Sequence, residues 1–126
     1  MAEKCQVRKF EPVNNSSYQF FEVSVNGKFQ FQEFVNNLKD EQRDLKKLNA
    51  IYGYMDSLSS SNLLPKTKFR HIECKKCKNV YEFKKNDIRV YVIFEKPNVF
   101  VVLGAYKSTQ KQDTKNIDKL FDGFKM

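Results

Sequence analysis

Three apolar segments in the second half of the chain, separated by short turns, constrain the fold most strongly. They lie between Val80 and Lys107 and read VYEFKK, IRVYVIFE and NVFVVLGAYK. Each has the length and the content of Val, Ile, Phe and Tyr that are typical of β-strands. Pro97 lies in the turn before the last segment and presets the backbone of that turn. The stretch therefore predicts an antiparallel meander.

The middle strand contains one residue that the pattern of a buried strand does not explain. Successive side chains of a strand point to opposite faces of its sheet. One predicted face carries Ile88, Val90, Val92 and Phe94, and the other carries Arg89, Tyr91 and Ile93. Because aliphatic residues flank Arg89 on both sides, we predict a functional role for this arginine.

The rest of the chain predicts an α+β fold. Alternating apolar residues predict a first strand from Tyr18, and apolar residues at helical spacing predict a short helix between Phe29 and Leu38. Asp40 is predicted to cap a second helix, whose apolar stripe continues to Leu58. A further strand-like stretch begins at Lys66 and leads into the meander. The predicted order is a strand, a helical hairpin and three or four antiparallel strands.

We predict a single domain over residues 1–126, with helices on one side of the sheet. Residues 1–17 contain turn-forming residues without periodicity and predict an irregular N-terminal arm. Residues 114–124 carry apolar residues at helical spacing and predict a short C-terminal helix. No apolar run approaches the roughly 20 residues that span a bilayer, and the first residues lack the apolar region of a signal peptide. A cytoplasmic location follows as the expectation.

The net charge of +8 is concentrated in one segment. Residues 63–115 contain thirteen Lys or Arg and five Asp or Glu, whereas residues 1–62 contain eight of each and residues 116–126 two of each. Cations scattered for solubility would not be segregated in this way. The distribution predicts a basic face that binds a polyanion, most simply nucleic acid, or an acidic protein.

Cysteine and histidine do not predict a metal or redox site. His71 lies three residues before Cys74, and Cys77 completes a C-x-x-C pair. Structural zinc takes four ligands, and the remaining cysteine, Cys5, is distant in the sequence. The pair lies in a predicted turn between strands, whereas redox pairs of the thioredoxin type begin a helix. Because the chain also lacks the motifs of nucleotide-cofactor enzymes and serine hydrolases, we predict neither a metal nor a cofactor.

The cations and tyrosines of the predicted meander suit RNA. Arg89 and Lys84 are predicted to converge with Tyr106 and Lys107 on one sheet face, where the cations would hold phosphates. Tyr91 or Tyr106 would stack on an unpaired base. Further candidates for contact with RNA are Arg70, Lys85 and Lys111. The alternative is that these lysines are solvated cations on a polar face.

The same segment resembles the C-terminal half of RelE/HigB-type bacterial toxins, especially the phage-derived Gp49-like branch. Tyr81–Lys84 stands where that family has an LYELR strand, and Ile88–Tyr91 where it has an hRVhY strand. Leu103–Lys111 stands at the family's hhLLhGFxKKTxKTP strand. The predicted order of strand, helical hairpin and meander is also similar, so the resemblance covers about residues 18–124.

This resemblance implies a toxin of a type II toxin–antitoxin system, an mRNA endoribonuclease that typically acts on the ribosome and is neutralised by an acidic antitoxin. In such enzymes the 2′-hydroxyl of the substrate attacks the adjacent phosphate, so neither metal nor cofactor is needed. By position, Arg89 would stabilise the phosphate charge with help from Lys84, and Lys107 would hold phosphate or act as an acid. Tyr106 would stack or donate a proton. Glu82 would be either a general base or a partner that orients Lys84.

Two other functions remain open at this point. One is a non-catalytic module of the same fold that binds nucleic acid or an acidic partner through residues 66–111. The other is a relative of the toxin fold that acts on a protein target such as a topoisomerase. Cleavage products separate the first alternative from the toxin hypothesis, and an effect on DNA supercoiling separates the second.

Overall fold

The part of the chain that the structure describes has an α+β fold with six strands and two helices. The structure, a computed structural model, describes residues 6–24, 27–59, 64–65, 68–72 and 79–107. The elements in chain order are β1 (Val7–Lys9), β2 (Gln19–Val23), α1 (Gln30–Asn36), α2 (Glu41–Ser57), β3 (Phe69–His71), β4 (Val80–Lys85), β5 (Ile88–Glu95) and β6 (Asn98–Tyr106). The C-terminal helix predicted for residues 114–124 lies outside the described residues. None of the helices in the described ranges is long and apolar enough to cross a membrane.

The six strands form one mixed sheet in the order β1-β2-β6-β5-β4-β3. Strands β3 to β6 pair as antiparallel neighbours, but β2 pairs with β6 in parallel, from Gln19 opposite Asn98 to Glu22 opposite Val101. The prediction of an antiparallel sheet is therefore wrong for the first predicted strand, β2, and the sheet is mixed. Alternation of side chains predicts which face of the sheet a residue occupies, but it predicts neither the neighbouring strand nor the direction of that strand.

Helices α1 and α2 lie against one face of the sheet, here called the helix face. Leu48, Ile51 and Met55 of α2 are completely buried and pack with Ile88 and Val90 of β5. The predicted cap is confirmed, because the Asp40 side chain accepts a hydrogen bond from the backbone N of Arg43 at 3.2 Å. The helix then continues to Ser57.

The other face of the sheet, here called the opposite face, carries a second apolar cluster that includes Val80, Tyr91, Ile93 and Val102. The predicted division of β5 between two faces is thus confirmed. Tyr91 and Val102 have no exposed surface. A register shift between Tyr91 and Val92 marks a bulge in the pairing of β5 with β6.

The N-terminal arm is more regular than the sequence predicts. Val7–Lys9 forms β1 and pairs antiparallel with β2, while Phe10 and Val13 are buried in the main core. Asn15 attaches the arm to the end of α2. Its Nδ2 donates to the carbonyl oxygens of Met55, Asp56 and Leu58 at 2.7–3.0 Å, and its Oδ1 accepts from two backbone N–H groups.

This arm was predicted to be irregular because a three-residue strand is too short to show alternation. Asn15 also lies in a cluster of turn-forming residues, which predicts a loop but not what the loop contacts. The side-chain amide satisfies carbonyl groups that the end of α2 leaves without helical partners.

Candidate nucleic-acid interface

Four cations of the basic segment occupy one end of the opposite face. Lys84 and Arg89 are direct partners across β4 and β5, and Arg70 of β3 lies opposite Glu82 of β4. Lys107 directly follows β6 and, like Arg70 and Arg89, is close enough to lower the pKa of Lys84 through its charge. We call this set the cation cluster: Arg70, Lys84, Arg89 and Lys107.

Two positive charges face one another at the centre of the cation cluster. Like charges directly opposite across two strands are destabilising. Arg89 is also 7% exposed, so water contributes little to its solvation. The interpretation of solvated surface cations fits the exposed Lys107 but not Arg89. The arrangement is expected to be favourable when an anion lies between the cations.

The guanidinium of Arg89 is held by the turn that joins β4 to β5. Its Nη1 donates to the carbonyl oxygen of Asn86 at 2.7 Å and to that of Ile88 at 3.0 Å. Asn86 has a φ of 55°, a left-handed conformation that asparagine tolerates better than most residues. The Nε of Arg89 is buried and has no hydrogen-bond partner among the described residues. A buried donor without a partner is unfavourable in the free protein.

Glu82 is paired with Arg70 at the edge of the cluster. The Nε of Arg70 donates to Oε1 of Glu82 at 2.7 Å, and the Glu82 side chain has no exposed surface while that of Arg70 is 42% exposed. A carboxylate so placed orients its arginine and lowers the local positive charge. The family resemblance implies that Glu82 is either a general base or a partner that orients Lys84, whereas the ion pair in the structure joins Glu82 to Arg70 and the burial of its carboxylate does not suit contact with a substrate.

The surroundings of Lys84 shift the pKa of its side chain. Burial lowers the pKa of its ammonium, and the charges of Arg70, Arg89 and Lys107 lower the pKa further, whereas Glu82 opposes them. A lysine with a lowered pKa is a better proton donor near neutral pH than an ordinary lysine. Perturbed groups of this kind are concentrated at functional sites.

Replacing Lys84 by Met is expected to raise the free energy of unfolding at pH 7 by about 0.5–1 kcal/mol, because it removes a like charge opposite Arg89. The wild-type protein should then gain stability relative to Lys84→Met as the pH rises from the lowered folded-state pKa of Lys84 to about 10.5, its unfolded value. In that range the unfolded lysine binds the proton more strongly than the folded one. Urea denaturation of both proteins across pH 7–11 measures the difference, and parallel pH profiles would contradict the assignment.

Tyr106 does not lie in the cation cluster, so the prediction that it shares a face with Arg89 is wrong. Its hydroxyl donates to Oδ2 of Asp44 at 2.7 Å and accepts from the backbone N of Lys39 at 2.8 Å, both on the helix side. Its ring also lies 5.2 Å from that of Phe34 in α1. Burial and Asp44 raise the pKa of Tyr106. Lys107 lies beyond the end of β6, so its neighbour Tyr106 need not share a face with it.

The remaining predicted contact residues are dispersed. Tyr91 lies on the opposite face with no exposed surface, so its ring is not available to stack on a base. Lys85 follows Lys84 and by alternation belongs to the helix face. Lys111 lies outside the described residues. His71 is in β3 with its ring 5.1 Å from that of Tyr81, whereas Cys74 and Cys77 lie outside the described residues.

Three charged residues behind the cluster were not predicted from the sequence: Asp44, Lys47 and Asp87. The Nζ of Lys47 lies 2.6 Å from Oδ1 of Asp87 in the β4–β5 turn and 3.5 Å from Oδ1 of Asp44. The i, i+3 spacing of Asp44 and Lys47 on α2 was a possible signal. The contact with Asp87 joins residues 40 positions apart and has no local signature.

The sequence matches no protein-family model, and it matches no curated protein. What the chain does must therefore be argued from its own residues. The cation cluster is the feature of the described structure that most clearly suits a ligand, and its chemistry suits the phosphate groups of a nucleic acid.

Proposed function

We propose that this protein is a RelE/HigB-like toxin of a type II toxin–antitoxin system that cleaves mRNA on the ribosome. The observation that carries the proposal is the direct opposition of Lys84 and the buried Arg89 within the cation cluster. The motifs at Tyr81–Lys84, Ile88–Tyr91 and Leu103–Lys111 support it, as does the order of strand, helical pair and strands. The proposed target is cytoplasmic, and the proposed antitoxin is acidic because it would cover this cluster.

In the proposed reaction the 2′-oxygen of the RNA forms a bond to phosphorus while the bond from phosphorus to the 5′-oxygen breaks. Arg89 stabilises the negative charge of the phosphorane, and Lys107 holds a phosphate oxygen. Lys84 protonates the leaving 5′-oxygen, and the proton of the attacking hydroxyl passes to water. Glu82 orients Arg70. The step uses no metal and no cofactor.

A non-catalytic nucleic-acid-binding module of the same fold is the second candidate. It is favoured by the positions of Tyr106, which is bonded to Asp44 on the helix side, and of Glu82, which is buried and paired with Arg70. Neither side chain is placed to exchange a proton with RNA at the cluster. Such a module would bind RNA or an acidic partner through the same four cations, with strong dependence on salt.

The test is induced expression in bacteria followed by analysis of cellular RNA, with purified ribosomes and mRNA as the in-vitro counterpart. We expect growth arrest and mRNA fragments that end in a 2′,3′-cyclic phosphate, formed equally well in the presence of EDTA. Salt-sensitive RNA binding without fragments, with or without ribosomes, would contradict the enzymatic proposal and favour the binding module. Normal translation together with blocked DNA supercoiling would indicate a protein target.

A further inference from the structure

The turn between β4 and β5 accepts hydrogen bonds from both Arg89 and Lys107, the two cations that contact phosphate in the proposed function. Nη1 of Arg89 donates to the carbonyl oxygens of Asn86 and Ile88, so the orientation of the guanidinium depends on the path of this turn. The backbone N of Lys107 donates to the carbonyl oxygen of Asp87 at 2.7 Å. A shift of the turn would therefore move Arg89 and Lys107 relative to each other.

Lys47 of α2 reaches across the end of the sheet to hold that turn. Its Nζ lies 2.6 Å from Oδ1 of Asp87, and the Lys47 side chain is 14% exposed while that of Asp87 is 53% exposed. The hydrogen bond to Asp87 raises the pKa of Lys47, so the ammonium is charged across the neutral range. Because the Lys47 side chain has little exposed surface, its ammonium has few other positions and its short charge-assisted hydrogen bond fixes the position of the turn.

Asp44 connects the same lysine to the end of β6. Its Oδ1 lies 3.5 Å from Nζ of Lys47, and its Oδ2 accepts from the hydroxyl of Tyr106, the residue before Lys107. Burial opposes ionisation of Asp44, but the hydrogen bonds from Tyr106 and the Asp40 backbone and the charge of Lys47 keep its pKa below the ordinary value. The helix thus holds the two segments that carry Arg89 and Lys107.

We propose that Lys47 and Asp87 are positioning residues, which fix the guanidinium of Arg89 and its distance from Lys107 so that both contact one phosphate. This inference rests on the proposed function for the identity of the ligand, but the positioning itself concerns the free protein. Fixing a charged group before the ligand arrives avoids reorganisation at the moment of binding. Tyr106, predicted as a catalytic residue, has in this proposal a supporting role through Asp44.

The first test follows the Nε–H group of Arg89 by NMR in the RNA-free protein. Because this Nε is buried, its proton should exchange slowly with water in the wild-type protein. We expect Lys47→Met to accelerate the exchange about tenfold, a change of about 1.4 kcal/mol in the opening equilibrium. Lys47→Arg keeps the positive charge and should restore most of the slow exchange of the wild-type protein. Lys46→Met removes the same charge from an exposed neighbour in α2 and should leave the exchange unchanged.

Asp87→Asn is a second variant in case Lys47→Met does not fold, since it alters only an exposed turn residue. It should accelerate the exchange in the same direction as Lys47→Met. An unchanged Nε–H signal in whichever of these variants folds would overturn the positioning role, whatever the protein does to RNA. Accelerated exchange in a protein that does not bind RNA would support positioning and reject the proposed function.

The second test measures the affinity for a fluorescent single-stranded RNA in a double-mutant cycle. Lys47→Met is expected to weaken binding about tenfold in the wild-type background and less than twofold in the Arg89→Ala background, because Lys47 acts through Arg89. A loss of merely structural origin would be similar in both backgrounds. Equal weakening in the two backgrounds would overturn the inference, since Lys47 would then act through its own charge or through general stability.

Discussion

Arg89→Ala is expected to lower RNA cleavage about 100- to 1,000-fold and to relieve growth arrest. This is the range observed when one donor that stabilises developing charge is removed from an active site. Arg89 should have an effect of this size because its guanidinium is nearly buried and is held by the β4–β5 turn. Rates of cleavage of a ribosome-bound message, with protein concentration adjusted for any change in folding, measure the effect.

Two matched variants define what Arg89 contributes. Arg89→Lys keeps the charge but lacks the planar fork, so it should recover only part of the activity. Arg43→Ala removes the same charge from α2, where the Arg43 side chain is 73% exposed, and should change the rate less than twofold. In RNA binding, Arg89→Ala should reduce the slope of log affinity against log salt by about one. Full toxicity of Arg89→Ala would reject the role assigned to this residue.

The elements whose side chains follow a clear period were predictable from the sequence. The apolar stripe of α2 predicted its buried face, and Asp40 caps that helix as expected. Alternation in β5 predicted correctly that Tyr91 and Ile93 lie on one face of the sheet and that Ile88, Val90 and Val92 lie on the other. These features depend on residues close together in the chain, so the spacing of apolar residues in the sequence predicts them.

The features that were not predictable depend on contacts between distant parts of the chain. The parallel pairing of β2 with β6 and the attachment of Asn15 to the end of α2 have no local pattern. Tyr106 illustrates the same limit within the candidate site. Its position next to Lys107 suggested a shared face, whereas strand alternation turns its hydroxyl towards Asp44, 62 residues earlier in the chain.

The cation cluster was predictable in part from local sequence and in part depends on contacts between distant residues. Charge counts located the excess cations between residues 63 and 115, but they did not show that Lys84 lies directly opposite Arg89. The strand register supplies that fact, and with it the argument that the arrangement is unfavourable without an anion. Two like charges in direct opposition, one of them nearly buried, are more consistent with a binding site than with a solvated surface.

The second large effect is expected from Gly104, where α1 lies against β6. An added Cβ at this position would lie 2.5 Å from Cδ2 and 2.8 Å from Cγ of Phe34, closer than van der Waals contact allows. Gly104→Ala is therefore expected to lower the free energy of unfolding by about 2 kcal/mol, and Gly104→Val by about 3 kcal/mol or more, because the ring and α1 must move. Urea denaturation monitored by circular dichroism measures both values.

Gly53→Ala is the matched control for a glycine, and its expected effect has the opposite sign. Gly53 lies in α2, and apart from its chain neighbours and its own helix backbone no atom of the described residues lies within 4 Å of an added Cβ, so alanine should stabilise the helix by up to about 1 kcal/mol. Phe34→Leu tests whether the clash with Phe34 causes the loss of stability in Gly104→Ala, because a smaller side chain leaves room for the new methyl group. Gly104→Ala should then cost less than half as much in the Phe34→Leu background as in the wild-type protein.

Gly104 also links the stability of α1 to the candidate site, because Phe34 contacts the ring of Tyr106 as well as Gly104. Displacement of Phe34 would disturb Tyr106, its hydrogen bond to Asp44 and hence the end of β6 that leads to Lys107. Gly104→Ala is therefore expected to weaken RNA binding more than a surface variant of equal stability would, and Phe34→Leu should reverse part of that loss. A Gly104→Ala protein as stable as the wild-type protein would contradict the close contact between Phe34 of α1 and Gly104 of β6.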